Sequence, residues 1–82
     1  MAPTVIELGE ERLLAAQRQD KARLDYEDIR HALARKGIDS SADASALAAL
    51  TAYENAQAQY EEARRAHGRA LAADLQFRER GG

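Results

Sequence analysis

An all-α fold, an antiparallel two-helix hairpin with a coiled-coil-like, alanine-rich seam, is predicted by three features of this sequence. Along residues 40–80 small residues recur every seventh position, at Ala49, Ala56, Ala63 and Ala70, and Phe77 follows in the same series. Upstream, Leu8, Ala15, Ala22 and Ile29 repeat with the same period. Between the two runs stands Arg35-Lys36-Gly37-Ile38, a helix-ending signal. A seven-residue apolar repeat keeps one side of a helix turned toward a partner helix. One domain is expected over residues 1–82, with helix 1 over about 5–36, a turn at 37–40 and helix 2 over about 41–78.

Composition supports this class. The chain has 82 residues, enough for one domain. It is 45% hydrophobic, but much of that is alanine, and aromatic residues make up only 5%. Charged residues at 32% with helical periodicity point to long helices or a coiled coil. A formal net charge of −2 and a pI near 5.6 fit neither a nucleic-acid binder nor a mimic of DNA. Cysteine is absent, which excludes disulfides, thiol catalysis and thiolate metal sites. No apolar run reaches the roughly 18–20 residues of a membrane span, and the N-terminus lacks a secretory pattern. A cytoplasmic protein, or one held within a macromolecular particle, is the expectation.

Helix 1 has two candidate starts. Thr4-Val5-Ile6-Glu7 fits a capping box, with the Thr hydroxyl accepting from the third helical N–H. Gly9 competes, since Glu10 and Glu11 would then occupy the first turn. The earlier start is preferred. The inward stripe is Leu8, Ala15, Ala22, Tyr26, Ile29 and Leu33, interrupted by Arg12 and Gln19 at places where apolar residues are expected. A thinner stripe of Ile6, Leu13 and Leu24 lies roughly opposite and reads as a second contact face.

Helix 1 is predicted to end in a Schellman motif, with Gly37 left-handed and Ile38 placed to touch Leu33. Asp39, Ser40 and Ser41 are the candidate caps of helix 2, with Asp43 in its first turn. A connection of about three to five residues favours an antiparallel return. Helix 2 carries Leu47, Leu50, Leu71 and Leu75 beside its alanine column, and Gly68 reads as a tolerated surface glycine. Folding back sets Tyr26 near Tyr53, Ala22 near Ala56, Ala15 near Ala63, Leu33 near Leu47 and Leu8 near Leu71. In that register Glu7, Glu10 and Glu11 face Arg64, Arg65, Arg69 and Arg78.

Residues with chemistry are few. Tyr53, Tyr60, His67 and Asp74 recur at seven-residue steps, about 10 Å apart along a helix, too far for a proton relay. A polar-aromatic edge is the favoured reading. Glu27 and Asp28 stand within one turn of His31, but a solvated charged face explains them better than a metal clip, and no catalytic, cofactor or metal site is assigned. No phosphate loop or nucleophile elbow is present.

The function predicted is non-enzymatic: a protein–protein interaction or assembly module acting through an exposed apolar face. Its partner is a protein or a second copy, as in subunits of phage or bacterial assemblies. The candidate contact residues are Ile6, Leu13, Leu24, Tyr53, Tyr60, Leu71, Leu75 and Phe77. The alternative is a small regulatory or nucleic-acid-associated protein using Arg64, Arg65, Arg69, Arg78 and Arg80, disfavoured because acids of helix 1 neighbour them. A helical enzyme would need Arg12, Gln19, Gln57 and Arg64 enclosed in one pocket. No membrane partner or small-molecule substrate is evident.

Overall fold

A computed structural model describes the backbone of residues 4–81 and the side chains of residues 4–77. Two long helices, α1 (Val5–Arg35) and α2 (Ala44–Gly81), are joined through a single 3-10 turn at Ser40–Ala42. No strand occurs among the described residues. The particle measures 64 × 20 × 15 Å. An α-helix with its side chains is about 10–12 Å across, so the chain is two helices wide and one thick. Its radius of gyration is 18.4 Å, against roughly 12 Å for a compact chain of this length.

Local signals set the ends of α1. Thr4 is extended and its hydroxyl accepts from the Glu7 N–H at 3.1 Å, so the earlier of the two predicted starts is used. At the other end the Gly37 N–H donates to the Ala34 carbonyl at 3.1 Å and the Ile38 N–H to the Leu33 carbonyl at 2.9 Å. These are the two bonds of a Schellman motif, and Gly37 has the positive φ of 74° that the motif demands.

The connection differs from expectation. It spans positions 36–43, and α2 starts at Ala44 rather than near 41. Asp39 does cap, but it caps the 3-10 turn, accepting from the Ser41 N–H at 3.0 Å. The cap of α2 is Asp43, whose carboxylate accepts from the Ala46 N–H at 2.9 Å. Two aspartates one turn apart each satisfy their own helix start, and the intervening turn lengthens the link.

The chain doubles back on itself. Tyr26 stacks on Tyr53 with ring centroids 6.5 Å apart, which is the predicted pairing. Further along, Gly9 lies against His67. A strict three-four alternation of buried and half-buried positions runs along both helices: Val5, Leu8, Arg12, Ala15, Gln19, Ala22, Tyr26, Ile29 and Leu33 on α1, then Ala46, Ala49, Tyr53, Ala56, Tyr60, Ala63, His67, Ala70 and Asp74 on α2, with Gly9, Ala16, Glu27, Leu50 and Ala66 half-buried beside it. That spacing is the inward seam of a coiled coil.

Three expectations about the seam are corrected. Tyr53, Tyr60, His67 and Asp74 are not an outer edge; they alternate with the alanines and face α1. Leu47 and Leu71 do not fill the seam opposite Leu33 and Leu8. They are 47% and 40% exposed, and Ala46 and Ala70 take the inner places beside them. The ion pairs among the described residues run within helices, not between them: Arg23–Glu27, Arg64–Glu61, Arg65–Glu62 and Arg69–Glu62, at 3.4–3.9 Å. Glu61 and Glu62 stand three residues before Arg64 and Arg65, and Glu27 four after Arg23, so these are already neighbours on the helix surface and need no tertiary fit, while Glu62 also reaches Arg69 seven residues on. The side chain of Arg78 lies outside the described residues.

Candidate functional site

The seam leaves very little covered. Among the described residues the buried side chains are Ala15, Ala46 and Ala56, all alanines. Burial of apolar area is the main favourable term in folding, and alanine carries the least of it. Large apolar side chains lie outside instead: Ile6 at 74% exposed, Leu13 at 59%, Leu24 at 51%, Leu75 at 58% and Phe77 at 76%. Every apolar aliphatic side chain proposed from sequence as a contact residue, together with Phe77, is therefore on the surface. Tyr53 and Tyr60 are the exceptions: both are half-buried in the seam, Tyr53 against Tyr26 with its hydroxyl accepting from Gln57 at 3.3 Å.

The two faces of the hairpin differ. One carries shallow depressions bordered by charge: Asp25 and Asp28 beside Ala22 and Ala49, and Glu11 and Arg18 beside Ala15 and Ala63. The opposite face has a depression lined by Gly9, Arg12, Leu13, Ala16, Tyr60 and His67. Leu71 and Leu75 follow His67 at successive four-residue steps and Ile6 precedes Leu13 by seven, so these apolar side chains gather on that second face toward the open end. Leu14, 48% exposed, belongs to the charged face, and Leu24 stands toward the back of α1.

One feature of the apolar face was not legible in the sequence. Gly9 is a packing residue: a Cβ there would come within 3.2 Å of His67 Nε2. The glycine makes room for the imidazole, whose Nδ1 is buried without a hydrogen-bond partner. Gly68, on the same face, meets nothing within 4 Å at the place a Cβ would occupy.

Other readings find less geometry. Arg12 and Gln19 are half-buried in the seam while Gln57 and Arg64 are exposed, so the four polar residues that a catalytic pocket required are not gathered in one. Arg64, Arg65 and Arg69 already face glutamates of their own helix, leaving fewer free cations for phosphates. Arg80 lies outside the described side chains. His31 is exposed, and the described residues hold no group of three or more His, Cys, Asp or Glu placed to bind a metal ion. No helix among them is long and apolar enough to cross a membrane. Comparison of the chain with protein-family models, curated proteins and solved structures returns no match.

Proposed function

We propose that this protein is a non-enzymatic interaction module: a helical hairpin that acts by offering an apolar face to another protein, as a subunit or adaptor of an assembly. One observation carries the reading. Among the described residues only alanines are buried, while nine large apolar side chains, Ile6, Leu13, Leu14, Leu24, Ile38, Leu47, Leu71, Leu75 and Phe77, stand 40–76% exposed. Ordering a chain costs roughly 1.5 kcal/mol per residue, and a core of alanines offsets little of it. The surface supports the same conclusion. A compact 9.0 kDa protein exposes roughly 4,900 Å², whereas this hairpin exposes 6305 Å². Large apolar side chains gathered on the surface in this way mark interaction sites in soluble proteins.

The test is photo-cross-linking in the protein's own cell or particle, with the reactive side chain in place of the exposed Arg64, one heptad before Leu71 on the apolar face. A discrete adduct is expected, and it should vanish when Leu13 and Leu71 are both replaced by glutamine. If the adduct survives those replacements, or if none forms while the lone chain proves cooperatively folded, the reading fails.

A further inference from the structure

The chemistry of the partner can be argued further, and this step rests on the interaction reading. We propose that the occupant of the apolar face is another protein, docking through a segment in which an aspartate or glutamate carboxylate stands among apolar side chains. Arg12 and Tyr60 receive the carboxylate, and its apolar neighbours lie on Leu13 and Ala16.

The unmatched charge is Arg12. It occupies a seam position where an apolar residue is expected, and it is half-buried. Charges drawn out of water are normally paired. Arg12 is not: among the described residues it makes no hydrogen bond and no ion pair. Its own helix offers no acid, because the residues three and four away are Leu8, Gly9, Ala15 and Ala16. From α2 the side chains bordering the same depression are Tyr60 and His67, neither of them an acid. An arginine so placed packs its stem in the seam and carries its guanidinium to the edge. The edge that Arg12 borders is the depression on the apolar face.

The Tyr60 hydroxyl makes no hydrogen bond among the described residues either. A guanidinium presents paired N–H donors that match the two oxygens of a carboxylate, and a phenol hydroxyl adds a further donor. Gly9, Leu13 and Ala16 complete the lining and are apolar.

Charge sets this depression apart from the others. Those of the opposite face contain acid: Asp25 and Asp28 in one, Glu11 with Arg18 in the other. The lining here contains none, and Arg64, one turn from both Tyr60 and His67, already faces Glu61 at 3.7 Å. A single unmatched positive charge between apolar walls fits one carboxylate. It does not fit a polyanion, which needs many cations and which a net charge of −2 repels. The lining also argues against a second copy seated here, since the same depression would bring arginine to arginine and supply no carboxylate.

Photo-cross-linking in the protein's own cell or particle tests the proposal, with the reactive side chain moved to Gly68. That position lies on the same face in open space and leaves the Arg64–Glu61 pair intact. Arg12→Leu is the deciding variant. Removing an unpaired charge from the seam should raise the melting temperature of the lone chain, yet lower the yield of adduct at least about tenfold. A fall in both would mark Arg12 as a structural residue and overturn its part in binding. Arg12→Lys, which keeps the charge without the fork, should retain part of the yield, and Tyr60→Phe should lower it about threefold or more. Mapping the adduct should place an aspartate or glutamate of the partner at the contact. Reversing that acid to lysine should abolish the adduct with the wild-type chain and restore it with Arg12→Glu. An adduct indifferent to Arg12→Leu, but lost when Leu13 and Leu71 become glutamine, would overturn the carboxylate and leave the interaction reading standing. An adduct of twice 9.0 kDa would make the occupant a second copy and overturn the choice of partner. No adduct from position 64 or 68, with the lone chain cooperatively folded, would remove both.

Discussion

The contact between Gly9 and His67 makes a quantitative prediction, because two effects of opposite sign meet at one atom. Replacing glycine by alanine inside a helix gains about 0.8–1.0 kcal/mol of propensity. At position 9 the new methyl would stand 3.2 Å from His67 Nε2 and 3.6 Å from Cε1. Carbon contacts are most favourable at about 3.5–4.0 Å, and an overpacked site costs typically about 1–3 kcal/mol. The imidazole has little freedom to retreat, since its Nδ1 is buried and Arg12 and Tyr60 border the same depression. Gly9→Ala should therefore be neutral to destabilising by about 1–2 kcal/mol in the wild-type chain. In a His67→Ala background the crowding is gone and the same change should stabilise by about 1 kcal/mol. The coupling, about 1 kcal/mol or more, is read from a double-mutant cycle in urea at one fixed protein concentration. If Gly9→Ala stabilises equally in both backgrounds, His67 does not rest on Gly9, and the register of the open half is wrong.

Further outcomes follow from the seam and the turn. Ala56→Leu places a large side chain at a position 8% exposed and should cost about 1–3 kcal/mol; an unchanged denaturation midpoint would contradict a close-packed column. Gly37→Val forces a β-branched residue to a φ of 74° and should cost at least about 1–2 kcal/mol, visible as a thermal shift of several degrees; an unaltered melting curve would show that α1 does not end there. Asp43→Ala removes the cap of α2 and should cost about 1 kcal/mol, an effect that Ser41→Ala should not reproduce. Asp39 accepts a hydrogen bond from the Ser41 N–H and another from the Ser41 side chain, which hold its carboxyl below the ordinary value of 3.8. The unfolded chain then takes up that proton first, so the contribution of Asp39 is complete above the ordinary carboxylate range and fades as pH falls through the folded value. An NMR titration of the Asp39 carboxyl with an ordinary midpoint would refute it.

How far the sequence was legible depended on the range of the interaction. The Thr4 cap and the Gly37 motif are set by neighbours within a few residues, and both could be read directly. Tyr26 opposite Tyr53 followed from the turn position and the heptad count. The second cap was misplaced because Asp39, Ser40, Ser41 and Asp43 are all competent, and only the geometry of the 3-10 turn chooses among them. The seam of α2 was misread for a different reason. Hydrophobicity favoured Leu47 and Leu71 as inner residues and His67 and Asp74 as outer ones. The strict three-four count from Ala46 to Asp74 decides otherwise, and it was present in the sequence. Alanine gives so little energetic contrast between faces that the frame outranks the hydrophobicity of single residues. The exposure of Ile6, Leu13, Leu24, Leu75 and Phe77 was legible because they are surplus to the seam. Gly9 was missed as a packing residue because a glycine announces no contact until its surroundings are known, whereas Gly68, read as a tolerated surface glycine, is exposed with nothing within 4 Å of a Cβ position.

An alanine seam also has a problem of register. Slid by one heptad, alanines would still meet alanines, and Tyr26 would come opposite Tyr60 instead of Tyr53. The column cannot by itself distinguish the two alignments. Two features do. The slipped alignment would carry His67 from Gly9 toward Ala16, onto a Cβ that the observed alignment avoids. It would also need additional chain between the helices, whereas the connection at 36–43 is held by the Gly37 motif and by both aspartate caps. The alanines thus allow the helices to approach while leaving their alignment to the ends: the capped turn at one, the Gly9–His67 fit at the other. Loosening both ends, by Gly37→Val with Gly9→Ala, should therefore cost more than the two changes add up to separately, because each alone leaves one determinant of the register in place.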